Sequence, residues 1–160
     1  MNLLEAMSWR LNRCVEGCLA VMGLGMAFLV AAQVFFRYTL NQSLFWSEEL
    51  ARYLLVWLTF MGASSAYRRG MHPGVDILYA WMRPGFRKAA VIIAHGASML
   101  LFGVMIVFGC RFAYFVRLQI SPALFLPKWT LFAVIPLSGA ILMVHALARL
   151  SGDVETRASE

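Results

Sequence analysis

The chain has little with which to do side-chain chemistry. Of its 160 residues, 14% are charged and 61% are hydrophobic, and the mean hydropathy is +0.72. A water-soluble domain is near half apolar and about a quarter charged, so this composition is that of an integral membrane protein. The three cysteines, Cys14, Cys18 and Cys110, are too few for a disulfide framework. Cys14 and Cys18 share a helix face, but a helical i,i+4 pair is poorly placed for a disulfide. With no further Cys or His nearby in sequence, they do not make a convincing metal site either. No nucleophile–base pair, phosphate-cradling loop or string of metal ligands is visible. No catalytic residue, metal or cofactor is expected, and the chain does not read as an enzyme. It has no low-complexity segment and no clear internal repeat.

The most consequential absence is inside the apolar runs. Positions 17–36, 53–67, 92–110 and 129–147 hold no Asp, Glu, Lys or Arg. Ion-coupled carriers mark their path with ionisable residues or broken helices near the middle of the membrane. A chain without them is expected to be a partner, scaffold or anchor rather than a carrier or channel by itself. The net charge of +6 does not point to nucleic acid, because the basic residues flank apolar runs instead of lining one face. There they act as topology determinants and contacts for membrane lipids.

What is present predicts an all-α membrane protein in a single domain over 1–160. Its four transmembrane helices are expected near 15–36, 48–67, 89–110 and 128–148. Leu3, Leu4, Met7 and Leu11, set against Glu5, Arg10 and Arg13, suit an interfacial amphipathic helix near 2–13. A second is expected near 74–83, after the breakers His72-Pro73-Gly74 and before Pro84-Gly85. A cleaved signal peptide fits poorly, since the first apolar run is too long and lacks a small-residue cleavage site. Gly23, Ala27 and Ala31 recur every four residues, and Gly62 and Ala66 repeat that spacing. Such small-residue faces let another helix approach closely. Pro127 suits a first helical turn and Pro136 is expected to kink the last helix.

The densest polar cluster beside an apolar run is Trp46-Ser47-Glu48-Glu49-Leu50-Ala51-Arg52-Tyr53. Ser47 reads as an N-cap, with Glu48 and Glu49 in the first turn, where the helix dipole favours carboxylates. Arg52 lies within reach of both for an ion pair. Glu48 and Glu49 point about 100° apart on a helix, so they are not a facing acid and base. The plain reading is a well-built helix start at the membrane surface, with the aromatic residues near helix ends forming an ordinary interfacial belt. The sharper reading is a docking surface. His95 and His145 fall at similar expected depth and raise the alternative of a haem-bearing membrane anchor of a respiratory enzyme. The simpler reading is two hydrogen-bonded or interfacial bundle histidines.

Four spans put both termini on one side. Nine Lys/Arg (Arg10, Arg13, Arg68, Arg69, Arg83, Arg87, Lys88, Arg149, Arg157) then share that side, against five on the other (Arg37, Arg52, Arg111, Arg117, Lys128). The excess favours cytoplasmic termini and places the Ser47–Arg52 turn outside.

Phe36-Arg37-Tyr38, the Trp46–Tyr53 cluster, Gly62-Ala63, Val75-Asp76, Ser121-Pro122-Ala123-Leu124, Leu126-Pro127-Lys128-Trp129 and Ile135-Pro136 occur in an order and spacing that resembles one family. It is the small membrane subunit (DctQ-like) of the tripartite ATP-independent periplasmic (TRAP) transporters. The resemblance runs from about residue 15 to 150, and the loop Met71-His72-Pro73-Gly74 departs from it. It implies a small permease subunit in the bacterial inner membrane that binds neither substrate nor sodium. Its partners would be a large TRAP permease subunit, which carries an organic acid on a sodium gradient, and a periplasmic substrate-binding protein. The resemblance makes Arg37, Trp46, Ser47, Glu48, Glu49, Arg52, Arg117 and Lys128 candidate partner contacts. It makes Gly23, Ala27, Ala31, Gly62 and Ala66 candidates for packing within the bundle or against the large subunit. It does not name the substrate.

Overall fold

The computed structural model describes residues 3–69 and 84–158, and every extended element among them is helical. In chain order these are α1 (Leu3–Thr39), α2 (Phe45–Arg68), α3 (Pro84–Phe115), the short α4 (Trp129–Phe132) and α5 (Val134–Ala158). The surface helix expected near 74–83 lies outside the described residues.

Three segments are long and apolar enough to cross a membrane: Leu4–Thr39, Ile92–Phe115 and Trp129–Arg149. Three of the four expected spans meet length and apolarity together, and the fourth, α2, meets length alone. α2 has the length, with 24 residues, or about 36 Å at 1.5 Å per residue. Glu48, Glu49 and Arg52 at its start and the Gly62–Ala66 small-residue run near its end dilute its apolarity. It is a helix built to be covered by neighbours, and Ser47, Met61, Ser64, Ser65 and Tyr67 are its buried residues.

α1 corrects a second expectation. A separate surface helix over 2–13 followed by a span from 15 is replaced by one uninterrupted helix of 37 residues. At about 55 Å it exceeds the roughly 30 Å hydrocarbon core, so its first turns extend past the apolar layer. The buried side of those turns includes polar groups, alongside Val15 and the half-buried Leu11. Ser8 and Asn12 are buried with Val15, while Leu4, Met7 and Trp9 are exposed. The periodicity was real, but at a lipid boundary the apolar side can face outward while polar groups bond inside.

α5 is the central element. It packs along α3, α2 and α1, and α1 pairs with α2. Val15, Met61, Val134 and Ile141 form one buried cluster across α1, α2 and α5. Tyr67, Phe102, Leu142 and Ala146 form another across α2, α3 and α5. Tyr67 meets Phe102 edge to face at 5.3 Å, the arrangement that ring quadrupoles favour. α1 runs antiparallel to α2 and α5, α3 antiparallel to α5, and α2 parallel to α5, so the start of α1 and the end of α5 share a terminal end. The α1–α2 turn and the 116–128 loop share the distal end.

The α4–α5 boundary follows from Pro136. Its ring nitrogen cannot donate to Phe132, and the ring crowds that carbonyl; the helix is interrupted at Ala133. Pro127 departs from expectation. The helix starts at Trp129 with Lys128 as its cap residue, so Pro127 precedes the cap. Its carbonyl instead accepts the Thr130 N–H (3.1 Å) and the Thr130 hydroxyl (2.8 Å).

α3 and α5 approach each other closely at two glycines. A Cβ added to Gly109 would lie 2.8 Å from Pro136 Cδ, and one added to Gly139 would lie 3.0 Å from Met105 Cβ. Around Gly23 and Gly62 an added Cβ meets nothing within 4 Å. Gly139→Leu is expected to lower stability by about 1–3 kcal/mol through overpacking, and Gly23→Ala to leave it unchanged. Thermal unfolding of both variants in the same detergent checks this.

Candidate functional site

The two ends of the helix set carry its polar chemistry. At the distal end, α2 opens at Phe45 with Leu44 as the cap residue and no side-chain cap. Ser47 therefore sits inside the first turn and is not the N-cap. Its hydroxyl donates to the Leu44 carbonyl at 2.6 Å, its N–H reaches the same carbonyl at 3.0 Å, and its side chain is fully buried. Glu49 does not pair with Arg52. Its Oε2 accepts the backbone N–H groups of Ala123 (2.9 Å) and Leu124 (3.2 Å). Two backbone amides converging on one carboxylate oxygen tie the 116–128 loop to the first turns of α2.

That loop is closed on itself as well. Ser121 N–H donates to the Leu126 carbonyl (2.9 Å) and Lys128 N–H to the Gln119 carbonyl (2.8 Å), with Ile120 and Pro127 bridged. Phe125 holds a left-handed φ of 53° and is exposed. For a bulky residue that conformation costs about 1–3 kcal/mol; the flanking hydrogen bonds hold it in place. Arg117 is turned back over the Tyr114 ring at 3.6 Å and donates to the Tyr114 carbonyl. The Lys128 ammonium reaches Gln119 Oε1 at 3.4 Å.

The eight candidate contacts thus divide. Ser47, Glu49, Arg117 and Lys128 have internal partners, whereas Arg37, Trp46, Glu48 and Arg52 are exposed at the same end. Among the packing candidates, Gly23, Gly62 and Ala66 are half-buried, and Ala27 and Ala31 face outward. The close crossings inside the chain use Gly109 and Gly139 instead.

The terminal end holds a network that the sequence reading missed. The Arg68 Nε donates to Ser8 Oγ at 3.0 Å, and the same hydroxyl is hydrogen-bonded to His145 Nδ1 at 2.8 Å. One buried serine therefore joins α1, α2 and α5. Beside it, Glu16 Oε1 gathers Asn12 Nδ2 (2.7 Å), the Ser65 hydroxyl (3.3 Å) and Arg69, whose ion pair is 2.6 Å long. Arg149 lies 5.7 Å from the Tyr67 ring centroid. Ser8, Asn12 and Glu16 recur every four residues along α1, which is the signal that would have found them. His145 is a structural member of this network. Ser8→Ala removes the partner of two groups at once and is expected to cost about 1–3 kcal/mol, read as a lower unfolding midpoint in detergent. Glu49→Ala is expected to raise the amide hydrogen-exchange rates of Ala123 and Leu124 while leaving those of α3 unchanged.

Comparison with known proteins places this arrangement. The family model described as the DctQ component of tripartite ATP-independent periplasmic transporters matches residues 26–156. The C4-dicarboxylate TRAP transporter small permease protein DctQ of Rhodobacter capsulatus is 29% identical over 137 residues, covering 84% of this chain. The chain spans 60% of that relative's length. A putative TRAP transporter small permease protein of Haemophilus influenzae is 26% identical over 154 residues, covering 95% of this chain and 94% of the relative. The isethionate TRAP transporter permease protein DctMQ of Oleidesulfovibrio alaskensis is 26% identical over 151 residues, covering 88% of this chain but 22% of that longer protein. These relatives are transporter subunits and lend no support to a haem-bearing respiratory anchor.

Proposed function

Since the chain belongs to the DctQ family of TRAP transporter small permease components, we propose that it serves a sodium-coupled importer of an organic acid as the subunit that does not bind the substrate. It packs against the large permease subunit as a static scaffold and helps to dock the periplasmic binding protein. It resides in the inner membrane with both termini cytoplasmic, so that the Glu49-tied loop and the exposed Arg37, Trp46, Glu48 and Arg52 face the periplasm.

The observation that carries this reading is the charge-free interior of all four apolar runs. A transport path through this chain would need ionisable or unwound segments at that depth. α1 agrees with a partner role: none of the residues in its most apolar stretch is buried within the chain. Relatives named for C4-dicarboxylate, ectoine, isethionate and sialic acid transport all match this one small module. A module shared across such different solutes is an unsuitable place for solute choice. In DctMQ the matching region is about a fifth of a longer permease protein, which fits a module that works fused to, or beside, a larger membrane unit.

Reconstitution in proteoliposomes tests the reading. With the large subunit, the binding protein and an inward sodium gradient, uptake of a labelled C4-dicarboxylate or another organic acid should require this chain and collapse to background without it. Uptake by this chain alone, or undiminished uptake in its absence, would overturn it. Arg52→Glu should reduce uptake at limiting binding-protein concentration without altering expression or the unfolding midpoint, because Arg52 is exposed and holds no partner inside the chain.

A further inference from the structure

Among the described residues, one site is explained by neither polar end nor by the scaffold reading. It is a groove of about 650 Å³ between α3 and the start of α5. Val104, Phe108, Phe112 and Ile135 are among its walls, Gly109 forms part of its floor, and Arg111 supplies its sole charge. Val104, Phe108 and Phe112 are exposed to the surroundings of the chain. The groove is fixed in shape, because Gly109 lets Pro136 approach closer than any side chain would allow.

We propose that this groove is a phospholipid site, with acyl chain along the apolar walls and the phosphate at Arg111. The depth of the charge supports this occupant. The apolar run of α3 follows Lys88 and opens at Ala89, and Arg111 lies 22 residues further on, or about 33 Å along the helix. That is about one hydrocarbon thickness, so the guanidinium sits at the level of the phosphates of one leaflet. Val104 lies about 10 Å deeper, within the acyl region.

Charge complementarity points the same way. Arg111 is exposed and has no acidic partner among the described residues. A guanidinium is suited to a phosphate through two parallel N–H···O bonds. Its neighbour Arg117 is already stacked on Tyr114, so the two arginines are not equivalent. The groove walls offer almost no other polar surface, which suits a hydrocarbon chain. The site requires only that α3 crosses a bilayer; it does not depend on the transported solute or on the docking of a binding protein.

Native mass spectrometry of the purified chain, supplied with phosphatidylglycerol in mild detergent, tests the proposal. The wild type should hold one tight lipid adduct. Arg111→Gln should weaken it about tenfold, the ratio that one charge-assisted contact supports. Val104→Trp, which fills the groove from an exposed position, should weaken it as strongly. Arg117→Gln should retain it, and Arg111→Lys, which keeps the charge but loses the paired N–H donors, should fall between the wild type and Arg111→Gln. Equal adducts in the wild type, Arg111→Gln and Val104→Trp would overturn the proposal, and so would a loss in Arg117→Gln matching that in Arg111→Gln. A photo-crosslinker at position 108 should capture lipid when the chain is in its native membrane with its partners. Capture of a protein helix instead would give the groove to a partner subunit and overturn the lipid assignment.

Discussion

Helices in a bilayer cannot be held together by expulsion of water from apolar surface, because lipid tails are as apolar as the side chains they would leave. What remains is close packing and polar bonding, and this chain divides them by depth. In the interior, α3 and α5 are locked where Gly109 meets Pro136 and Gly139 meets Met105. At the terminal end, Ser8 couples Arg68 to His145, and Glu16 collects Asn12, Ser65 and Arg69. At the distal end, Glu49 holds the backbone of Ala123 and Leu124. The order of the helices depends on these few ties.

The same division explains what the molecule can do. Its bonds are spent at the two membrane boundaries, and its interior carries no charge along which a solute or ion would move. Much of α1 and α3 is left with large apolar side chains exposed, including Leu24, Phe28, Leu100 and Phe108. In a membrane such faces are covered by lipid or by another helix. A unit fixed at both ends and apolar between them suits a static partner, against which a moving transport domain can work.

The helical class, the apolar runs and the family were legible in the sequence, because hydropathy and motif order report on them directly. The division of labour among polar residues was not. Ser47 has the composition of an N-cap, yet the helix begins two residues earlier and Ser47 bonds back to Leu44. Glu49 looked like the partner of Arg52, because local spacing shows only contacts within a helix. Its true partners lie more than 70 positions away. Ser8, Asn12 and Glu16 were hidden by an amphipathic pattern read for a helix lying in water at a membrane surface; at a lipid boundary the buried side can include polar groups. Gly139 lacks the four-residue repeat that drew attention to Gly23 and Gly62, and Gly109 shares that spacing with Ala113 alone; such a glycine shows its purpose only when the crossing helix is in place. Pro136 was legible, since its effect on the helix is covalent and local.

The central claim is that this chain works as a static subunit of a larger membrane permease. Its most direct test is to tag the chain, express it with its neighbouring genes, extract it in mild detergent and identify what accompanies it. The account predicts an equimolar large protein with many membrane-spanning segments. A chain that is recovered alone under conditions that preserve membrane complexes, or with a respiratory enzyme, would contradict it.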